Sequence, residues 1–227
     1  MTLTDTLALH KEEFSPLFQP DLTPENTLMM DFSVHNPEMK SIDFKDIEGL
    51  NRFVFKKIEK AGKIYGYGGY MEDREIYRRS PLFSISPQEA RSIHLGIDVW
   101  TPAGQNVYAP LNATVHSFAN NANYGDYGPT IILEHQLGET TFYTLYGHLS
   151  LESLQNIKKG KVIEKGEPFC QVGNFPVNGD WPPHLHFQVM GDMNGKEGDF
   201  PGVCSKKQEM DYRRICPDPV VFFSLGK

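Results

Sequence analysis

The sequence is poor in cysteine. Three cysteines occur among 227 residues, Cys170, Cys204 and Cys216, and none of them forms a CxxC pair. A secreted scaffold framed by disulfides and a cysteine zinc site are therefore both disfavoured. We expect Cys204 and Cys216 to pack as buried thiols. A disulfide between them is the alternative only if the protein resides in an oxidising compartment.

Long apolar runs and an excess of positive charge are also absent. The longest apolar run, residues 220–223, is far shorter than the roughly 20 residues that span a bilayer. The first fifteen residues carry charges and lack the apolar stretch of a signal peptide, which predicts a cytoplasmic protein without a membrane partner. With 29 acidic against 22 basic residues, the net charge of −7 argues against nucleic-acid binding.

Apolar residues make up 39% of the chain, which is enough for a sizeable core. Twenty glycines and 16 prolines are spread along it, as is typical of short strands joined by turns. The fold predicted is mainly β with minor α, a curved and mostly antiparallel sheet. Residues 158–172 are predicted to form strand, turn and strand. Five further segments are rich in β-branched and aromatic residues: 107–110, 113–118, 130–135, 141–146 and 186–190.

The chain divides into two predicted parts. Residues 1–87 form a loop-rich N-terminal extension with one helix near 44–61, and residues 88–227 form the main domain with a C-terminal tail. Asp43 or Asp46 is the expected N-cap of the helix, and its apolar residues recur at helical spacing. We therefore expect the extension to dock its apolar stripe on the main domain.

Two local patterns place metal-binding side chains together. Along an extended segment, His94, Gly96 and Asp98 face the same way, and the glycine leaves room for an ion. His184 and His186 share a face for the same reason. A single histidine on a strand is more often structural, but a pair at this spacing together with a carboxylate favours a metal site.

A third pattern, His148 at the end of an apolar strand in Tyr-Gly-His-Leu-Ser, completes the set. In this order the three patterns resemble the lysostaphin-type (LytM-like) zinc metalloendopeptidases. The likeness extends over roughly residues 88–192. It includes the segment 97–104, which follows the first ligand pair, and the glycine-punctuated segment 158–167. The resemblance implies the curved antiparallel sheet of that family.

The resemblance also implies one Zn²⁺ per chain, held by His94, Asp98 and His186, with His148 and His184 as the unligated catalytic pair. Two imidazoles, one carboxylate and an open position make a catalytic type of zinc site, although cobalt or manganese would also suit these ligands. Because the sequence has no HExxH motif, the catalytic pair is expected to accept the proton of the attacking water. Which of the two is the base stays open.

The function predicted is zinc-dependent hydrolysis of an amide or peptide bond in a small soluble peptide or amide. A peptidoglycan endopeptidase is the first alternative, and a non-catalytic binding or regulatory module is the second. Part of the chain resembles a narrower subgroup, fused in large cytoplasmic proteins with class III aminotransferases, which implies association with metabolic enzymes. That likeness lies in residues 92–98, 181–188, 198–204 and 215–219.

Three residues are candidates for substrate contact. Arg74 and Arg91 are candidates to hold an anionic group of the substrate, because guanidinium groups bind carboxylates by two parallel hydrogen bonds. Ordinary ion pairs are the alternative use of these arginines. Trp181 is a candidate to stack on the substrate, with packing as the alternative. His135 is predicted to be structural.

Overall fold

The computed structural model describes residues 1–79 and 90–225, with the side chains of 78 and 79 excepted. The strands are β1 Thr27–Met29, β2 Tyr65–Gly68, β3 Arg91–His94, β4 Ile97–Trp100, β5 Asn106–Tyr108, β6 Ala113–Asn121, β7 Gly128–Leu137, β8 Thr140–Gly147, β9 Val162–Ile163, β10 Pro168–Gln171, β11 His184–Met190 and β12 Val203–Ser205. The α-helices are α1 Leu3–Leu9, α2 Ile47–Lys60 and α3 Glu209–Ile215. Among the described residues, no helix has the length and apolar character needed to cross a bilayer.

One eight-stranded sheet dominates the fold, in the order β1-β2-β4-β11-β8-β7-β6-β9. Every neighbouring pair in it is antiparallel except β1 and β2, which run parallel. Two small sheets flank it, β5 with β10 and β3 with β12. The predicted mainly β fold with a mostly antiparallel sheet is confirmed.

Strand β11 lies in the middle of the large sheet and is buried on both faces. Leu185 and Phe187 point into the main hydrophobic core, where both are fully buried. Alternation then directs His184, His186 and Gln188 to the opposite face. The core therefore fixes one face of β11, and its polar face is available for chemistry.

The predicted N-terminal helix is α2, and Asp46 is its N-cap, accepting a hydrogen bond from the Gly49 backbone at 2.9 Å. Its apolar face, including Leu50 and Val54, is buried. The N-terminal segment does more than dock, because β1 and β2 extend the large sheet and β2 pairs with β4. The predicted boundary at residue 87 lies outside the described residues, so the division stays a prediction.

The segment 158–172 forms strand, turn and strand, as predicted. It contains strands β9 and β10, but they do not pair with each other. β9 pairs with β6 in the large sheet, and β10 pairs with β5 in a small one. Ile163 and Phe169, one from each strand, are both buried in the main core. The two strands of this segment therefore do not form a hairpin with each other.

The three cysteines are buried and free of disulfides. Burial raises the pKa of the Cys204 and Cys216 thiols to about 12, so both stay protonated at neutral pH. Buried thiols were the prediction for this pair, and the structure confirms it. Cys170 packs within the main core.

His135 is a structural histidine, as predicted. Its Nδ1–H donates to the Asn112 carbonyl oxygen at 3.2 Å, and its Nε2 accepts from the Thr144 hydroxyl at 2.7 Å. Burial lowers its pKa to about 4, below the usual value near 6.5.

Acidification is therefore expected to destabilise the fold through His135. The unfolded chain takes up a proton near pH 6.5 that the folded chain excludes until about pH 4, so stability falls as the pH drops through that window. The loss attributable to this group is up to about 1.4 kcal/mol per pH unit. Urea unfolding of wild type and His135→Gln between pH 7 and pH 4 tests this, and parallel stability curves for the two would contradict it.

Candidate metal centre

Three strands converge on one cluster of potential ligands. Asp98 on β4 and His186 on β11 are directly paired across the antiparallel ladder, and His94 is the last residue of β3. His94 Nε2 lies 2.9 Å from His186 Nδ1, and each of these nitrogens lies 3.2 Å from Asp98 Oδ1. Among the described residues, these three form a group able to hold a metal ion. The structure thus brings together all three predicted ligands.

The role expected of Gly96 is corrected. His94 and Asp98 do not lie on one continuous extended segment, because the chain passes from β3 to β4 at residues 95–96. A Cβ at Gly96 would lie 2.8 Å from His186 Nε2 and 2.6 Å from the Phe187 carbonyl oxygen. The space beside Gly96 is thus filled by the His186 imidazole instead of an ion.

The hydrogen bonds of the two ligand histidines fix their tautomers. His94 Nδ1–H donates to the Gly69 carbonyl oxygen at 3.0 Å, which leaves its Nε2 without a proton. His186 Nε2–H donates to the Gln188 side-chain oxygen at 3.0 Å, which leaves its Nδ1 without a proton. Gln188 is held in that orientation because its amide nitrogen donates to the Pro201 carbonyl oxygen. Two nitrogen lone pairs therefore face each other 2.9 Å apart, an arrangement that a cation between them would stabilise.

The spacing of the three ligand atoms suits zinc. In a tetrahedral zinc site with bonds of about 2.0–2.1 Å, neighbouring ligand atoms are separated by roughly 3.3 Å. The three separations here, 2.9, 3.2 and 3.2 Å, are close to that value. The residues present therefore fit a zinc ion with a fourth position left for water or substrate.

Asp98 is fully charged in this setting although it is 3% exposed. Burial alone favours the neutral acid, but the neighbouring His94 imidazole and the Arg74 guanidinium outweigh it and hold the pKa of Asp98 well below its usual range. Arg74 Nη1 donates to Asp98 Oδ2 at 2.5 Å. The carboxylate thus uses Oδ2 for the arginine and presents Oδ1 to the two imidazoles.

The predicted catalytic pair lies beside the ligands. The ring centroids of His148 and His184 are 4.2 Å apart. The ring centroids of His148 and His186 are 6.2 Å apart. The Nδ1–H of His148 donates to the Asn178 carbonyl oxygen at 2.8 Å, and that of His184 donates to the Pro182 carbonyl oxygen at 2.7 Å. Both rings therefore keep Nε2 as a free proton acceptor.

Both imidazoles are held neutral. Burial, reinforced by the neighbouring His184 and His186, holds the pKa of His148 well below the usual histidine value. Burial also lowers the pKa of His184, although the Asp98 carboxylate opposes the shift. A neutral imidazole with a fixed Nδ1–H is the form that accepts a proton at Nε2.

The orientation of His148 depends on its backbone and on the loop before β11. Its φ of 61° lies in the left-handed region, a strained conformation for a residue with a side chain. Backbone hydrogen bonds on both sides hold it there, from His148 N to the Tyr127 carbonyl and from Gly173 N to the His148 carbonyl, each at 2.8 Å. The fully buried Asn178 side chain bonds to Gly173 and Trp181 and so fixes the carbonyl that receives His148.

The three predicted substrate residues have different surroundings. Trp181 is buried, donates from Nε1 to the Asp126 carbonyl oxygen at 3.1 Å, and lies edge-on to His148 and His184, so its observed contacts are packing contacts. Arg74 is held by Asp98 and by Glu72, whose Oε2 accepts from Arg74 Nε at 2.6 Å. Arg91 lines the same cavity as the site. Substrate contact by any of the three stays a prediction.

Sequence reasoning missed several residues that shape the site. Trp100 stacks on His184 with ring centroids 5.8 Å apart, and Tyr127 packs against His186 at 5.1 Å. Gln188 could have been found, since it lies two residues beyond His186 and therefore shares its face. Trp100 could have been found by the same spacing from Asp98. No local spacing in the sequence indicates that Arg74, with Glu72 behind it, binds Asp98.

A cavity of about 250 Å³ opens beside the ligands and the catalytic pair. One side of it comes from β3, β4, β11, His148 and the segments 125–127, 181–182 and 196–203, which include the charged residues Asp126, Lys196 and Asp199. The other side comes from the N-terminal segment, which contributes mostly apolar side chains. These are Phe32, Leu50, Val54, Arg74, Ile76 and Tyr77.

Residues 92–199 match the family model described as peptidase family M23. The matched segment comprises 108 of the 227 residues, slightly less than half of the chain. All five candidate site residues, four histidines and one aspartate, lie within the matched segment, and the match supports a metallopeptidase. Arg74, Glu72 and the apolar side of the cavity lie outside the M23 segment. No curated protein matches the chain.

Several solved structures are similar to part of this chain. A zinc containing peptidase from Vibrio cholerae is 28% identical over 43% of this chain and 27% of its own, with a TM-score of 0.33. The catalytic domain of lysostaphin from Staphylococcus simulans is 23% identical over 53% of this chain and 80% of its own, with a TM-score of 0.37. LytU is 25% identical over 59% of this chain and 86% of its own, with a TM-score of 0.36. The chain thus spans about a quarter of the length of the Vibrio cholerae peptidase. The interpretation as a metallopeptidase rests on the matched segment 92–199 and on the geometry of the site.

Proposed function

We propose that this protein is a zinc-dependent peptidase that hydrolyses an amide bond in a small soluble peptide or amide. The observation that carries the proposal is the pair of unprotonated imidazole nitrogens, on His94 and His186, facing one carboxylate oxygen of Asp98 within 3.2 Å. That donor set, with a fourth position open, is the catalytic type of zinc site. When bound, zinc would lower the pKa of water and polarise the carbonyl of the substrate.

His148 and His184 supply the proton chemistry of the proposed reaction. Each has Nδ1–H anchored to a backbone carbonyl and Nε2 free, so each can accept a proton and then donate it to the leaving amine. The anchoring carbonyls also stabilise the imidazolium formed after proton uptake. Either ring, once protonated, offers an N–H to the oxygen that becomes negative in the tetrahedral intermediate.

The size and burial of the site support a small substrate. His148 and His184 are only 6% and 4% exposed, and the adjoining cavity holds about 250 Å³. Small-molecule sites usually enclose about 300–1,000 Å³, so this space suits a dipeptide or a similarly small amide better than a polymer. The apolar side from the N-terminal segment favours a substrate with an apolar side chain.

The direct test compares two substrates. The zinc-loaded protein is incubated with a panel of soluble dipeptides and acyl amino acids, and separately with purified peptidoglycan sacculi. We expect cleavage of soluble substrates and no release of wall fragments, with the His184→Ala protein as the inactive control. Release of wall fragments without cleavage of any soluble substrate would establish the alternative, a peptidoglycan endopeptidase. Neither activity, in protein that holds no zinc, would favour a non-catalytic module.

A second prediction concerns the apolar side of the cavity. Val54→Phe adds volume at a fully buried position on α2 that lines the cavity. We expect KM to rise at least about tenfold with zinc content unchanged, because the loss of a well-fitting apolar contact costs about 1–3 kcal/mol. Val162→Phe, at an exposed position on β9, is the matched control. An unchanged KM in a folded Val54→Phe protein would remove the N-terminal segment from substrate binding.

Cytoplasmic location and association with aminotransferase-type metabolic enzymes remain parts of the proposal. Both follow from the sequence resemblance, and both agree with a small soluble substrate. Co-purification of the tagged protein from its own cells, with separation of soluble and envelope fractions, tests them together. Recovery in the envelope fraction would contradict the location and favour the peptidoglycan alternative.

A further inference from the structure

A chain of charged groups, half-buried at Glu72 and fully buried at Arg74 and Asp98, connects the N-terminal segment to the candidate metal ligands. Glu72 Oε2 accepts from Arg74 Nε at 2.6 Å, and Arg74 Nη1 donates to Asp98 Oδ2 at 2.5 Å. Glu72 is in turn fixed by the Phe32 backbone N–H, which donates to its Oε1 at 3.0 Å. Two carboxylates therefore hold one guanidinium from two sides, and one of those carboxylates is the predicted zinc ligand.

The surroundings leave Arg74 little freedom to move. It is 3% exposed, and its guanidinium carbon lies 5.8 Å from the ring centroids of both Phe32 and Trp100. A Cβ on Gly69 would lie 1.8 Å from Arg74 Nη2, so the backbone there accommodates the arginine only because residue 69 is glycine. The same residue 69 supplies the carbonyl oxygen that orients His94.

We infer that Arg74 is a positioning residue for the metal centre, which holds Asp98 by Oδ2 so that only Oδ1 faces the two imidazoles. The inference rests on the proposed zinc site and deepens it. Arg74 lies outside the matched segment 92–199, so the N-terminal segment completes the metal centre as well as the cavity.

The shape of the guanidinium is essential to this role. Arginine presents several N–H groups in a rigid fork, so Nε and Nη1 can bond two carboxylates at once. A lysine keeps the positive charge but offers a single point of contact on a flexible stem. A positioning role and a purely electrostatic role of Arg74 therefore predict opposite effects on zinc affinity. A nearby positive charge alone repels a cation, so its loss would tighten zinc binding, whereas loss of positioning weakens it.

The test measures zinc affinity directly, by competition with a chromogenic chelator, in full-length wild type, Arg74→Ala and Arg74→Lys. We expect both variants to bind zinc about 10- to 100-fold more weakly, the usual effect of removing a residue that orients a metal ligand. Arg52→Ala, which removes an exposed arginine that pairs with Glu48 on α2, is the control and is expected to bind zinc as wild type does. Circular dichroism of the metal-free proteins checks that each variant is folded.

The outcomes separate this inference from the proposed function. Tighter or unchanged binding by Arg74→Ala would overturn the positioning role, and so would wild-type affinity in Arg74→Lys. If Arg74→Ala does not fold, Arg74→Lys alone decides the question. Failure of wild type itself to bind zinc would overturn the proposed function, whatever the variants do.

Discussion

His186→Ala is expected to reduce bound zinc from about one ion per chain to near zero and to abolish hydrolysis. His186 Nδ1 is one of three ligand atoms, and the remaining pair, His94 Nε2 and Asp98 Oδ1, cannot enclose an ion on its own. Elemental analysis of protein purified from zinc-replete medium, combined with an activity assay, measures both effects.

A control histidine separates ligand loss from general damage. His116 lies on β6, packs against Tyr143 and takes no part in the cluster, so His116→Ala should retain its zinc. Wild-type zinc content in His186→Ala would mean that the ion is held elsewhere, and the proposed centre would then be wrong.

His184→Ala is expected to leave zinc bound while kcat falls by about 10²- to 10⁴-fold, the usual contribution of a general acid or base. The reason is that His184 Nε2 is 3.8 Å from Asp98 Oδ1 and its Nδ1 is committed to the Pro182 carbonyl, so the ring stands beside the ligands without belonging to them. Zinc content and steady-state kinetics on the same sample measure the two properties.

His148→Ala provides the companion experiment. If the two imidazoles act as a unit, His148→Ala and the double variant should lose about as much activity as His184→Ala, because such effects are not additive. Loss of zinc together with activity in His184→Ala would instead make His184 a ligand. Full activity in either single variant would remove that residue from catalysis.

The closeness of the five candidate site residues could be predicted from the sequence because each belongs to a short local pattern. Period-two alternation placed His184 and His186 on one face, and β11 keeps that alternation because Leu185 and Phe187 are anchored in the core. His94 and Asp98 do lie close together, but not for the reason that the sequence suggested. The two meet because β3 and β4 lie in adjoining sheets, and Gly96 makes room for an imidazole.

Features that depend on distant parts of the chain were not predictable. Arg74 was recognised as an anion-binding candidate, but its partner is Asp98, 24 positions away, on a strand that pairs with β2. The sequence likewise indicated strands within 158–172 without showing that β9 pairs with β6 and β10 with β5. Propensity and periodicity describe a strand and its faces, whereas its partner is chosen by packing across the whole fold.

The most direct test of the metal centre is a crystal structure of the zinc-loaded protein with anomalous diffraction recorded at the zinc edge. A single anomalous peak is expected within about 2.0–2.2 Å of His94 Nε2, His186 Nδ1 and Asp98 Oδ1, with a fourth position facing the cavity. A peak located away from these three atoms, or a fourth protein ligand closing the site, would contradict a catalytic zinc centre.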